Sequence, residues 1–206
     1  MMKNVKDYYD NTAADWSEEF LNEKKQSEIL TKFYDCFYDG GTTKPRILDL
    51  GCGAGYDAKI LSKCGAKVLG IDISENLIQI AKKNVPECRF LVGDARDSLA
   101  RLGRFEGIVC LATLIHIEPI DMQKTLKNMA DVLKKGGLLL VSVCDGIGRD
   151  LDKSLVQIDG EDYDKDFNCY NSTEICSFAY PHLKLVDTWR FNDFDEGWRY
   201  YVFMKV

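Results

Sequence analysis

The sequence predicts an α/β fold, a Rossmann-like doubly wound sheet of about seven strands with helices on both faces. Three observations predict it. Short apolar runs without polar alternation recur from residue 44 onward, amphipathic segments of helix length separate them, and a glycine-rich bend, Gly51-Cys52-Gly53-Ala54-Gly55, closes the first run. Strands that lack alternation are covered on both faces, as in parallel sheets. Right-handed crossovers between them then impose the doubly wound layout.

The elements follow in order. Tyr8, Tyr9, Trp16, Phe20 and Leu21, then Ile29, Leu30, Phe33 and Phe37, stand at helical spacing, and Gly40-Gly41 reads as a helix stop. Strands are expected at Arg46–Leu50, Lys67–Ile71, Arg89–Val92, Gly107–Leu111 and Leu138–Val143. Helices are expected at Tyr56–Lys63, Glu75–Asn84 and Met122–Leu133, with Ser74 capping the second. After Gly148 an acidic stretch, Asp150–Asp166, reads as irregular. It leads to a short helix at Thr173–Ala179 and two strands, His182–Phe191 and Trp198–Val206, the last antiparallel. The expected organisation is one domain over 1–206: a helical cap at 1–40, a ligand-binding core at 44–144, and a lid with the final strands at 145–206.

Composition narrows the partners. A net charge of -6 repels phosphate backbones and anionic lipid, and the densest cationic run is Lys134-Lys135. Nucleic acid and membrane are therefore not expected partners. The eight cysteines form no CxxC, and two histidines do not complete a metal set, so no metal is expected. The first ten residues lack an apolar core of a leader, and reduced thiols in a cytoplasmic setting are the expectation. No run reaches the roughly 20 apolar residues of a membrane span.

The chemistry centres on the bend. Glycines at the end of a first strand let the backbone turn tightly and approach a ligand. The spacing is GxGxG, and Tyr56 stands where the dinucleotide fingerprint needs its third glycine, which argues against NAD or FAD. Asp72 closes the second strand, about 20 residues on, where a carboxylate accepts ribose hydroxyls. Asp94 closes the third strand, suited to the exocyclic amine of adenine, and Ala95 leaves the ring room. Asp49, Asp72 and Asp94 are expected to face one crevice; alternatively, each caps the helix that follows it.

The run Asp49–Gly55, then Asp72, Gly93-Asp94, Phe105–Val109 and Leu133–Gly137 resembles the ordered motifs of class I S-adenosylmethionine-dependent methyltransferases. The start Tyr8-Tyr9-Asp10-Asn11-Thr12-Ala13 is most similar to the small-molecule branch. The resemblance spans roughly Tyr8 to Val143 and implies S-adenosylmethionine as cofactor, a small-molecule acceptor, and a final strand inserted beside its neighbour. It implies that Gly51, Cys52, Gly53 and Gly55 form the methionine-side bend, with Asp49 toward the amine. Asp72 takes the ribose, Ile73 packs on adenine, Asp94 and Ala95 meet the adenine edge, and Leu111 lies beside the methionine portion.

On the acceptor side His116 is the candidate base, since an alcohol or phenol needs one; Ile115 stands where the family often has a first histidine. The other reading is that His116 braces its loop through backbone hydrogen bonds. Tyr8, Tyr9 and Trp16 are lid candidates, and Tyr56, Asp145, Tyr170, Trp198 and Arg199 candidate acceptor-pocket residues. The stretch Asp150–Asp166 is a second lid candidate. Two other functions stay open at this level: a nicotinamide-dependent oxidoreductase, and a non-catalytic S-adenosylmethionine-binding protein. Acceptor identity and oligomeric state are not encoded in any pattern here.

Overall fold

Five strands run parallel: β1 (Arg46–Leu50), β2 (Lys67–Asp72), β3 (Arg89–Val92), β4 (Phe105–Cys110) and β5 (Leu133–Cys144), in the spatial order β5-β4-β1-β2-β3. The computed structural model describes residues 2–19, 23–37, 44–190 and 197–206. Phe20, Leu21, the Gly40-Gly41 stop and Phe191 lie outside the described residues. Beyond β5 the sheet continues with β11 (Trp198–Lys205), antiparallel to β5 and flanked outside by β10 (Leu183–Arg190). The last strand thus inserts between β5 and β10, as the resemblance implies.

Alternating side chains along each strand divide the core into two layers. From β1, Leu48 and Leu50 enter the layer packed by α6 (Pro119–Val132) and α8 (Ser172–Ala179). Ile47 enters the opposite layer, with α3 (Glu23–Asp35), α4 (Tyr56–Cys64) and α5 (Glu75–Asn84). Asp49 alternates in step with Ile47 and so points under α4. The helix ends are set by local chemistry. The Ser74 hydroxyl accepts from the Leu77 N–H at 3.1 Å, the cap expected for α5.

Most bounds shift by a residue or two, and three differences from expectation are larger. α6 begins at Pro119, because proline is well suited to the first helical position. β5 begins at Leu133, whose backbone is already extended. Phe105 of β4 pairs with Leu133 and Gly107 with Leu138, so residues 134–137 bulge between them. The third difference matters most. The acidic stretch is not irregular: it folds as α7 (Leu151–Ser154) and a hairpin of β7 (Leu155–Ile158) and β8 (Glu161–Asp164). Asp159 and Gly160 connect the strands with φ of 51° and 80°, the conformation a two-residue hairpin turn demands and Asp-Gly supplies.

This hairpin joins the N-terminus. Helices α1 (Val5–Asn11) and α2 (Ala13–Glu19) precede the sheet, and Lys3 pairs with Tyr163 as an added strand. The Lys3 N–H donates to the Asp162 carbonyl at 2.9 Å, and the Asp164 N–H donates to the Lys3 carbonyl at 2.8 Å. Tyr8 is buried edge-on against Tyr163, and Lys165 Nζ lies 4.7 Å from the Tyr8 ring centre. A two-residue strand, β6 (Gly148–Arg149), and its partner β9 (Asn168–Cys169) bracket the insertion at the end of β5.

The two lid candidates of the sequence are therefore one physical unit. Tyr163→Ala empties the contact between them, and hydrogen exchange read by mass spectrometry is expected to rise in residues 2–11 and 155–164 together, with the sheet amides unchanged.

Candidate active site

A cavity of about 1010 Å³ opens at the carboxyl ends of β1, β2, β3 and β4. This is where open α/β sheets bind ligands. The bend after β1 forms its floor. Gly51 and Cys52 N–H groups donate to the Ile71 carbonyl at 2.7 and 3.0 Å, which ties the bend to β2. The Gly53 N–H donates to Asp72 Oδ2 at 2.9 Å, and the Ser74 N–H donates to Asp72 Oδ1 at 2.9 Å. Asp72 is thereby fixed with one further lone pair on each oxygen.

The glycines do different work. A Cβ on Gly51, at φ 81°, would sit 1.8 Å from Thr113 Oγ1, so the protein's own packing excludes it. Gly53, at φ 50°, would meet nothing within 4 Å: its missing side chain is open cavity, a cradle for a ligand. Gly55 does not line the cavity. It starts α4 in the left-handed region and packs on Ala81, Val85 and Phe90.

The three carboxylates do not all face the crevice. Asp72 and Asp94 line it. Asp49 is only 1% exposed and lies beneath the bend, facing α4 because of its place in the strand alternation. Its Oδ2 has no hydrogen-bond partner among the described residues. Asp57, in the first turn of α4, does line the cavity and accepts from Gln26 Nε2 at 3.0 Å. Burial, with the neighbouring Asp57 and Asp72 charges, raises the Asp49 carboxyl well above the ordinary range. Burial lifts Asp57 to about 6. One buried and one half-buried carboxyl, the former with an oxygen unpartnered among the described residues, make a place suited to a cationic group.

Asp94 is also more occupied than expected. Arg96 Nε donates to its Oδ1 and Oδ2 at 2.9 and 3.0 Å. Burial alone would lift this carboxyl, but hydrogen bonds from Arg96 outweigh it and hold it below the usual value. Ile73, Ala95 and Leu111 line the cavity as expected.

On the other side, a short helical turn, Leu114–His116, places His116 against Tyr9. His116 Nδ1 stands 2.6 Å from the Lys165 carbonyl, which can only accept, so Nδ1 carries the proton. Nε2 then holds the lone pair and accepts from the Tyr9 hydroxyl at 2.8 Å. Burial pushes the imidazole down to about 4, so it is neutral near pH 7, and burial pushes the Tyr9 phenol up. One nitrogen thus braces the insertion, as the second reading expects, while the other presents its lone pair to the Tyr9 hydroxyl at the cavity. Rings extend from this pair in both directions, Trp16 at 5.5 Å from Tyr9, Phe167 at 6.4 Å from His116, and Trp198 at 6.4 Å from Phe167. All five of these residues line the cavity.

Four candidates lie elsewhere. Tyr8 is packed against Tyr163. The Tyr170 hydroxyl is turned into the core and donates to the Ile117 carbonyl. Asp145 is paired with Arg190 and with Arg199, whose charge is thus spent at the end of β5. Tyr56 does line the cavity. Asp10 and Phe167 are not among the sequence candidates, and Lys165 is there only as part of the stretch Asp150–Asp166. Asp10 accepts from the Ser74 hydroxyl at 2.6 Å and the Asn76 N–H at 3.2 Å, docking α1 on the N-terminus of α5. The signal for Asp10 is the Tyr-Tyr-Asp order; Phe167 has none.

Residues 47–137 match a family described as a methyltransferase domain. A ubiquinone biosynthesis O-methyltransferase of Coxiella burnetii is 35% identical over 121 residues, which are 57% of this chain and 50% of that protein. The chain spans about half the length of the curated relatives it matches. Among solved structures, magnesium protoporphyrin IX methyltransferase from Synechocystis PCC 6803 superposes with a TM-score of 0.70 at 18% identity, covering 98% of this chain and 95% of the other. A TehB-like SAM-dependent methyltransferase from Corynebacterium glutamicum gives 0.70 at 20% identity, covering 95% and 99%. At these identities the likeness is one of fold.

The Asp49–Asp57 pair has a measurable cost. Both carboxyls are raised in the folded protein, so the unfolded chain releases their protons more readily, and stability falls as pH rises through about 6. Asp49→Asn removes one member. Its melting temperature is expected to exceed that of the parent by at least roughly 2–4 °C at pH 7.5 and to match it near pH 4, in thermal scans across pH.

Proposed function

We propose, from a chain that carries a class I S-adenosylmethionine-dependent methyltransferase domain, that it passes the methyl group of S-adenosylmethionine to a hydroxyl oxygen on a small, flat, largely apolar molecule. The observation that carries this reading is the neutral, tautomer-fixed His116 beside Tyr9 in a cavity floored by the Gly53 cradle. Within the chain, residues 44–144 serve as the cofactor core, with the acceptor enclosed by 1–40 and 145–206. The negative overall charge supports a small-molecule enzyme that binds neither nucleic acid nor membrane, and the free cysteines support a cytoplasmic setting. Among the described residues no helix is long and apolar enough to cross a membrane.

The site's chemistry suits this cofactor. Asp57, with Asp49 behind it, accommodates the methionine ammonium; the same pair would repel the pyrophosphate of NAD, which supports the methyl-transfer reading over the oxidoreductase one. Asp72 keeps a lone pair on each oxygen for ribose hydroxyls, and Ile73, Asp94 and Ala95 suit adenine. About 1010 Å³ exceeds what one drug-sized ligand fills, leaving room for an acceptor. When bound, S-adenosylmethionine supplies an electrophilic methyl carbon on sulfur.

The residues do the rest. Trp16, Phe167 and Trp198 form walls that orient a flat acceptor and exclude water; such alignment contributes on the order of 7–11 kcal/mol at best. His116, at about 4, is too weak a base to ionise a phenol beforehand. It is strong enough to take the proton as the carbon–oxygen bond forms, because the methylated oxygen is by then a strong acid. Tyr9 relays that proton: its oxygen accepts from the acceptor while its own hydrogen passes to His116 Nε2. The relative named for O-methyl transfer supports an oxygen acceptor.

Three outcomes test this. With an acceptor found by screening phenols and hydroxy acids for S-adenosylhomocysteine release, His116→Ala is expected to lower kcat by roughly 10²–10⁴ with cofactor Kd unchanged. With saturating cofactor, wild-type kcat is expected to stay level down to about pH 5 and to fall as His116 protonates near 4. The cofactor Kd is expected to weaken below pH 6, by calorimetry, as Asp57 takes up a proton. Unchanged turnover in His116→Ala would reject the base, and tighter binding of NADH than of S-adenosylmethionine would reject the whole reading.

A further inference from the structure

One pair of nucleophilic side chains plays no part in the chemistry above. Cys144 closes β5, Cys169 lies in β9, and the two are direct partners across a parallel ladder. The Cys169 thiol donates to Cys144 Sγ at 3.0 Å. Ladder partners on adjacent strands lie about 4.7–4.9 Å apart, inside the span a disulfide bridges. The surrounding backbone leaves room for the pair: a Cβ on Gly146 would sit 3.0 Å from Cys169 Cβ, and one on Gly197 3.6 Å from Cys144 Sγ.

Their place in the chain gives the pair a purpose. They are 25 residues apart, and everything between them is the acceptor-side insertion: α7, the β7–β8 hairpin, Lys165 and Phe167. The two thiols therefore stand at its neck. From that neck Asn168 Nδ2 donates to the Ile115 carbonyl at 3.1 Å, next to His116.

We propose that Cys144 and Cys169 form a dithiol–disulfide pair, oxidised by a small disulfide such as oxidised glutathione, and that the bond staples the neck of the insertion carrying Lys165 and Phe167. The inference holds whichever acceptor the enzyme takes. Cys169 is half-buried and Cys144 buried, so Cys169 meets the oxidant first. Its thiolate, after losing a proton to solvent, attacks one glutathione sulfur and expels one glutathione thiolate. Cys144 then loses its proton and attacks the Cys169 sulfur, expelling the second glutathione. The two cysteines give up two electrons and two protons, and two reduced glutathiones carry them away. Burial, then the Cys144 neighbour, hold the Cys169 thiol up at about 12, so the first attack is slow; the second is intramolecular across 3.0 Å.

The test uses the reduced full chain. It is incubated with oxidised glutathione, quenched with an alkylating agent, digested without reductant and mapped by mass spectrometry. The expected product is a peptide joining Cys144 to Cys169, two fewer alkylated thiols, and a melting temperature several degrees higher, all reversed by dithiothreitol. Exposed Cys36 is the internal control and should end as a glutathione adduct. Cys169→Ser should abolish both the link and the thermal shift. The proposal is overturned if Cys36 has reacted while Cys144 and Cys169 are recovered alkylated, remain as glutathione adducts, or are bonded to other cysteines. Mapping the wild type decides this even if the variant folds poorly.

Discussion

Three backbone N–H groups hold the site together. Gly51 and Cys52 donate to the Ile71 carbonyl, and Gly53 donates to the Asp72 carboxylate. These bonds fasten the bend after β1 to the end of β2, and so fix at once the Gly53 cradle, the Asp72 carboxylate at the cavity and the start of α4. They need a chain that can reverse direction with positive φ at Gly51, Gly53 and Gly55, which side chains other than glycine rarely allow. Thr113, from beyond β4, closes the fourth side by filling the space a Gly51 side chain would take. The floor of the cavity is thus built by contact between three consecutive strand ends.

The electrostatics of that floor run against its own stability. Asp49 is buried behind half-buried Asp57, both carboxyls are raised, and one oxygen of Asp49 has no partner among the described residues. Strain of this kind persists where a ligand offsets it. A cation in the cavity would relieve that cost. Asp94 is the opposite case, since Arg96 has already neutralised it.

The roof is assembled from distant pieces of chain. Lys3 adds to the β7–β8 hairpin, Asp10 docks α1 on α5, and Tyr9 meets His116 across the opening. The Lys165 carbonyl then fixes which imidazole nitrogen is basic. The insertion after β5 and the N-terminus therefore jointly fix the tautomer of one side chain.

The sheet, the bend and most of the residues that line the cavity floor are legible in the sequence. Those depend on local rules: apolar runs of strand length, glycine where φ is positive, and acids at strand ends. The sequence also held the Asp159-Gly160 turn, although the charge around it obscured the hairpin. Only the tertiary structure decided that Asp49 lies beneath the floor, that Arg96 covers Asp94, that Tyr170 and Arg199 are turned away, and that Tyr9, His116 and Lys165 form one chain of hydrogen bonds. The reason is physical. A strand's period tells which side chains share a face, but not which face the crevice opens on. Partners 107 and 49 residues apart, as Tyr9 and Lys165 are from His116, leave no spacing to read, because packing rather than periodicity brings them together.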